Sequence, residues 1–354
     1  MHDGPTIRFL DRTTPPHITT LILLAGLGAM VMNIFLPSLP HMAEYYGTSY
    51  AVMQLSVPLY LLCSAVIQLF IGPISDNLGR RKVMMWSLVL FMLATLGCIF
   101  APTATVFLGF RISQAIAATA MVLSRAVIRD MAPPAEAARL LGTVGTAMAL
   151  APLLGPVLGG VLDEVFGWRS NFALFALMGI VMIVICWRDL GETNLNPSAS
   201  FMAQFKTYPT LIRSALFWAY TACLVFSVGG FYAFLGGAPQ VGEAMFGLTP
   251  ALLGVGMGSI SGGFMLGNFI TSRMSARWGI LRLIILGRWF GTVGPLIGIA
   301  IFAFGISHPV IMFGSAIMVG LGNGLTLPGA NAGVMSVDPR LAGSASGLSG
   351  ALTL

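Results

Sequence analysis

None of the residues that could do chemistry here is arranged to make or break a covalent bond. His2, His17, His41 and His308 show no metal-ligand spacing and have no nucleophile partner. Cys63, Cys98, Cys186 and Cys223 have no paired ligand spacing either, so no metal or disulfide role is assigned to them. There is no Gly-x4-Gly-Lys-Ser/Thr phosphate loop, and the glycine runs GPVLGG and GLGNG do not follow strands, which excludes a dinucleotide cradle. The expectation is no enzyme, no cofactor and no metal. What remains is polar chemistry set in apolar sequence. Arg111, with Gln114 three residues on, needs a counterpart: that glutamine, a backbone carbonyl or a substrate anion. Asn33 and Asn323 can both donate and accept hydrogen bonds, and Tyr60, Tyr232 and Phe226 complete the candidates for an apolar, aromatic binding cavity.

The elements that must position these residues follow from composition. Of 354 residues, 56% are hydrophobic and 8% charged, whereas a soluble domain carries about a quarter charged residues. Apolar stretches of about 20 residues recur, each long enough for a bilayer core of about 30 Å. Continuous apolar runs, unlike alternating ones, mean helices, because backbone polar groups in lipid must pair within their own segment. The expected spans are 18–38, 50–72, 83–101, 103–125, 140–162, 167–187, 214–236, 249–271, 281–304 and 309–332, with an eleventh beginning at Leu341 and cut off at Leu354. The first reads as a retained span and not a signal peptide. The fold class is therefore an all-α polytopic membrane protein of two six-helix bundles, the second incomplete, with ten full spans. Residues 1–187 form the first bundle, 188–213 a linker and 214–354 the truncated second bundle.

Basic residues fall on one side of these spans: Arg8 and Arg12, Arg80 to Lys82, Arg129 and Arg139, Arg188, Lys206 and Arg213, Arg273 and Arg277, and Arg340. The opposite loops hold Glu44, Asp163, Glu164 and Glu243, with Arg169 as their one basic residue, so the expected N-terminus is cytoplasmic. The formal charge of +6 is thus topological and does not point to nucleic acid.

Three motifs extend the reading. GPISDNLGRRK, Gly72 to Lys82, spaces Gly72, Asp76, Gly79, Arg80 and Arg81 as Gly-x3-Asp-x2-Gly-Arg-Arg between the second and third spans. LAPLLGPVLGGVL places Gly155, Pro156, Gly159 and Gly160 in the fifth span, where small residues allow close helix approach and a proline allows bending. GAMVMNIFLPSLP runs from Gly28 to Pro40 in the first span. The first of these resembles the signature loop of the major facilitator superfamily, the second its exporter motif, and the third the first-span signature of drug:proton antiporters of the Bcr/CflA (bicyclomycin and chloramphenicol resistance) subfamily. Arg111 resembles the superfamily's buried arginine, with Ala115 at the place of a usual glycine. SRAVIRDM, Gly167 with Trp168, and the loop GNFITSRMSARWG also fit; the last is a degenerate repeat of the Gly72 to Lys82 loop without its aspartate.

The resemblance implies alternating access, with Gly72 to Arg81 as a gate and the Gly155 to Gly160 segment as a hinge. It implies proton-coupled efflux of small amphipathic drugs from the cell (inner) membrane, with drug, proton and lipid bilayer as partners and a monomer as the working unit. That subfamily has an aspartate where Asn33 stands, and Asn33 cannot titrate, so the usual acid is missing. The acids Asp130, Asp163 and Glu164 fall only at span edges. The alternatives are export of a sugar, nucleoside or other metabolite, or a fragment that does not transport.

Overall fold

A computed structural model describes residues 7–194, 208–338 and 341–353. Half of the expected linker, with Lys206, and also Arg340 lie outside the described residues. Among the described residues every regular element is a helix. Ten helical segments are long and apolar enough to cross a membrane: Ile18–Tyr45, Tyr50–Leu78, Arg80–Phe100, Ala104–Met131, Arg139–Phe166, Arg169–Asp189, Ala215–Phe246, Pro250–Trp278, Ile280–Ala303 and Pro309–Ser336. They are named below the first to tenth spans; a further helix, Ala342–Thr353, follows.

The start signals are local. Thr103, Ser214 and Thr249 cap the fourth, seventh and eighth spans by accepting from the backbone N–H groups of Val106, Phe217 and Leu252. His17 and His308 do the same with Nδ1, so two of the four histidines are helix caps. Pro250 and Pro309 occupy first-turn positions, where a missing N–H costs nothing.

The ends correct the expected bounds. The fourth span runs to Met131, the seventh to Phe246, the eighth to Trp278 and the tenth to Ser336, each past its apolar window. Hydropathy stops at the first charged residues, but backbone hydrogen bonding carries on through Arg129, Glu243 and Arg277. Three spans are also interrupted. The first leaves its main helix after Asn33 and continues through a 3-10 turn, Leu36–Ser38, into the helix Leu39–Tyr45. The second breaks between Gln54 and Pro58, a proline having no N–H to continue the ladder. The fourth tightens into a 3-10 turn, Gln114–Ala117, directly after Arg111.

The chain divides into two compact units, Met1–Pro152 with Leu162–Ala199, and Leu153–Val161 with Ser200–Leu354. In the first, rings of Phe107, Trp168, Phe172 and Phe175 pack edge-on, Phe107 meeting Phe172 at 5.4 Å and 90°, with Phe35 tilted against Phe172. Beside them burial pushes the Tyr46 phenol up to about 12 although Arg169 draws it down, and its hydroxyl stays a donor to the Ala101 carbonyl. In the second unit the eighth and tenth spans pack through paired Gly-x3-Gly steps. A Cβ on Gly263 or Gly267 would run into the carbonyls of Ile317 or Leu321, and one on Gly320 or Gly324 into those of Ile260 or Phe264. GLGNG is thus a helix-packing surface. Outward faces carry bare apolar side chains such as Trp86, Leu93, Phe100, Trp289 and Ile299, as lipid-facing helices do.

Candidate functional site

The 3-10 turn of the fourth span turns Arg111 and Gln114 toward the same interior. Arg111 is 1% exposed, its guanidinium donating to Gln114 Oε1 at 2.8 Å and to the Val31 carbonyl at 3.0 Å. The rings of Phe35 and Tyr60 stand 4.2 Å from it. Gln114 Nε2 passes the chain to Thr95 Oγ1 at 2.8 Å, and Thr95 donates to the Phe91 carbonyl at 2.7 Å. Four spans therefore meet at one charge that, among the described residues, has no carboxylate beside it and no hydrogen-bond partner for its Nε. A buried arginine whose Nε–H is left over is a place for an electron-rich group.

Asn33 lies in the same unit, at the end of the first span's main helix, and is 4% exposed. Its Nδ2 donates to the Ala29 carbonyl at 2.7 Å, while Oδ1 has no hydrogen-bond partner. Asn33, Tyr60, Arg111 and Gln114 are all buried in the first unit, and Tyr60, Arg111 and Gln114 make one connected cluster.

The second unit has its own node, centred on a residue missing from the sequence-based candidates. Arg288, inside the ninth span, donates from Nε to Thr326 Oγ1 at 3.1 Å and from Nη2 to Asn323 Oδ1 at 3.0 Å. Asn323, 4% exposed, donates to the Ser227 carbonyl at 3.0 Å. In each unit, then, a guanidinium is tied to a side-chain amide; Arg111 also reaches the Val31 carbonyl directly, whereas Arg288 is linked to the Ser227 carbonyl only through Asn323. A cavity of about 300 Å³ adjoins the second node, lined among others by Ser227, Phe234, Arg288, Met312 and Asn323. Phe226, 76% exposed, stands at its rim. Tyr232 does not join it: Ser227, Gly230 and Phe234 share one face of the seventh span, and Tyr232 falls on the opposite face, its ring against Phe231. An arginine inside the apolar run ILGRWFG is the same signal that singles out Arg111.

The segment expected as a Gly72 to Lys82 loop is helical on both sides of Gly79, because the second span runs to Leu78 and the third starts at Arg80, and it carries a network of charges within the first unit. Arg80 pairs with Asp76 at 2.5 Å and with Asp130 of the fourth span at 3.0 Å, and donates to Ser75 Oγ. Glu192 accepts from the backbone N–H groups of Arg80 and Arg81 at 2.9 and 3.3 Å, placing a carboxylate on the positive end of the third span. Arg81 donates to the Trp187 carbonyl. Gly79 has φ +94° and leaves no room for a side chain against Glu192. Gly279 repeats that geometry between the eighth and ninth spans, with φ +77° but open space around it. Gly72 contributes its carbonyl to Arg80 at 3.4 Å.

Gly155, Pro156, Gly159 and Gly160 are buried in a helix that runs unbroken from Pro134 to Phe166. Within the second unit the Leu153–Val161 stretch lies backbone to backbone on the start of the eighth span. A Cβ on Gly254 would meet the Pro156 carbonyl, one on Gly258 that of Leu153, and one on Gly160 that of Pro250. Among the described residues no group of three or more His, Cys, Asp or Glu side chains could hold a metal ion.

Comparison with known proteins gives this arrangement a family. Residues 21–353 match the Major Facilitator Superfamily. The chain is 31% identical to a chloramphenicol resistance protein of Pseudomonas aeruginosa over 75% of its own length, and this match spans 62% of that relative. It is 28% identical to multidrug resistance protein D of Escherichia coli K12, covering 94% of this chain and 84% of that one. In structure it resembles a bacterial homologue of the human lysosomal transporter Spinster (TM-score 0.74, 16% identity, 95% of this chain and 78% of that one) and a D-xylose-proton symporter (TM-score 0.75, 15% identity, 95% and 85%). The match runs through both arginine nodes and both glycine turns, and the chain belongs to the Major Facilitator Superfamily, a family of transporters and not of enzymes.

Proposed function

We propose that this chain is an exporter of small amphipathic drugs of the phenicol or bicyclomycin kind, working by proton antiport and alternating access as a monomer of the Bcr/CflA type. The observation that carries the reading is the buried Arg111 node, whose aromatic walls, Phe35 and Tyr60, flank a guanidinium with no carboxylate partner. Flat, weakly polar molecules with carbonyl or nitro oxygens suit such a wall, because ring faces take the apolar body while N–H donors take the oxygens. Similarity to drug-resistance relatives supports the same cargo class. Arg80 with Asp76 and Asp130 serves as the gate, and the Gly155 to Gly160 segment packed on the eighth span as the hinge. The excess of basic residues in alternate loops supports a cytoplasmic N-terminus in the cell's inner membrane.

Everted membrane vesicles carrying the chain test this. With respiration acidifying the interior, labelled chloramphenicol should accumulate inside and leave when a protonophore is added. Accumulation equal to that of vesicles without the chain, across a panel of phenicols and bicyclomycin, would defeat the reading.

A further inference from the structure

With asparagine at position 33, the main helix of the first span, Ile18–Asn33, holds no titratable group, and the structure holds another candidate at the opposite end of the first unit from the Arg80 network. Asp163, near the end of the fifth span, is 4% exposed, and its side chain 1%. Neither carboxylate oxygen is in hydrogen-bonding geometry with any partner among the described residues. One group approaches it: His41 Nδ1 lies 3.1 Å from Oδ2, close enough for an ion pair though not aligned as a hydrogen bond. The His41 side chain is 42% exposed. The other buried acid among the described residues, Asp189, differs, because its carboxylate accepts from the backbone N–H groups of Leu10 and His17.

We propose that His41 and Asp163 form the proton-binding site of this exporter, loaded through the exposed imidazole. A carboxylate buried without donors is strongly disfavoured as a lone charge. The pair is therefore stable with one proton, held on the imidazole opposite the carboxylate or on Oδ2 beside a neutral ring; its net charge is then zero. Losing that proton leaves one negative charge on a carboxylate to which no protein group among the described residues donates. Release accordingly requires a rearrangement that brings water or a donor to Asp163, which ties the proton to the conformational cycle.

The surrounding ionisable groups do not take over this role. Glu44, on the His41 helix, and Glu164, beside Asp163, are exposed. Arg169, at the start of the sixth span, donates to the Ile99 carbonyl and the Tyr45 hydroxyl and stacks on Tyr45 and Trp168. Tyr45 is 54% exposed, and Tyr46 is held as a neutral donor to Ala101. Sequence position alone makes Asp163 an edge acid; burial is what separates it from Glu164.

The proposal rests on the antiport reading for its role but not for its proton, and the experiment separates the two. Purified full-length chain with 15N-labelled histidine has four imidazoles, and His41→Gln identifies the His41 signal. The expected result is that Asp163→Asn lowers the His41 titration midpoint by about one pH unit or more, a tenfold loss of proton affinity. His41→Gln, at an exposed position, should in turn let the protonated-carboxyl infrared band of Asp163 persist to higher pH. An unmoved His41 midpoint, or an unmoved carboxyl band if Asp163→Asn fails to fold, overturns the site. In everted vesicles with a pH gradient, His41→Gln should shift the pH profile of chloramphenicol accumulation while Glu44→Gln leaves it in place. Gradient-driven accumulation with an unshifted profile in His41→Gln also overturns the site, leaving antiport intact. Titration as expected without any gradient-driven accumulation keeps the proton site and sinks the antiport reading.

Discussion

Replacing Arg111 by methionine removes a buried charge while keeping much of the side chain's length. The guanidinium makes two hydrogen bonds, at 2.8 and 3.0 Å, and lies 4.2 Å from each of two rings. At about 1.5–3 kcal/mol for each charge-assisted bond and about 0.5–2 for each ring, these contacts sum to roughly 4–10 kcal/mol. Holding the charge at membrane depth costs about 3 kcal/mol on insertion scales and roughly 10 or more on an isolated helix. The two terms overlap, so the arginine is not what holds the bundle together. The variant leaves Gln114 Oε1 without its donor, which costs about 1–3 kcal/mol, while Gln114 keeps its bond to Thr95. Arg111→Met should therefore purify folded, with melting lowered by only a few degrees in detergent, yet bring chloramphenicol efflux down to the level of cells without the chain. Arg111→Lys keeps the charge but cannot reach both acceptors as a fork does, and should retain a fraction of the efflux. Two results would refute the reasoning: Arg111→Met that exports normally, or Arg111→Met that cannot be recovered folded.

Gly79→Ala should lower the melting temperature more than Gly279→Ala. Both substitutions force a side chain into a conformation costing about 1–3 kcal/mol, but only at Gly79 does the new Cβ also displace Glu192 from the third-span N-terminus; equal losses would contradict the assigned role of Glu192. Gly254→Val should abolish efflux by driving the eighth span off the Pro156 carbonyl, at about 1–3 kcal/mol or more of overpacking, whereas Gly262→Val, in open space, should change stability by less than about 0.5 kcal/mol. Vesicle transport and thermal melting of the two valine variants decide this. Asn33→Asp puts a carboxyl where Nδ2 now donates to Ala29, and only a protonated acid can keep that bond. It should therefore make drug accumulation more steeply dependent on the pH gradient, and an unchanged profile would count against a coupling position there.

Much of this fold is legible in the sequence because lipid imposes so blunt a rule. Ten apolar runs appear as ten helical spans, and the glycine turn before Arg80 lies where GPISDNLGRRK places it. Span ends are less legible, since capped polar turns prolong helices that hydropathy stops counting. The 3-10 turn at Gln114 has no proline or glycine to announce it; it coincides with the bonds from Arg111 and Gln114 to Val31 and Thr95, which are tertiary. Arg288 is legible by the same logic as Arg111, but it is hidden when basic residues are read as topology alone. Asp130 and Asp163 look alike as edge acids. Only packing shows that one is an exposed-side partner of Arg80 and the other a buried carboxylate beside an imidazole. Glu192 carries no motif at all, because its role depends on where the end of the sixth span brings it.

The most direct test of the central claim is drug movement by the purified chain in proteoliposomes with an imposed pH difference. Acid-inside vesicles should accumulate labelled chloramphenicol against its concentration, the accumulation should collapse when the pH difference is abolished, and Arg111→Met vesicles should show none. Accumulation that is absent in the wild type, or present equally without the pH difference, would contradict proton-driven drug export.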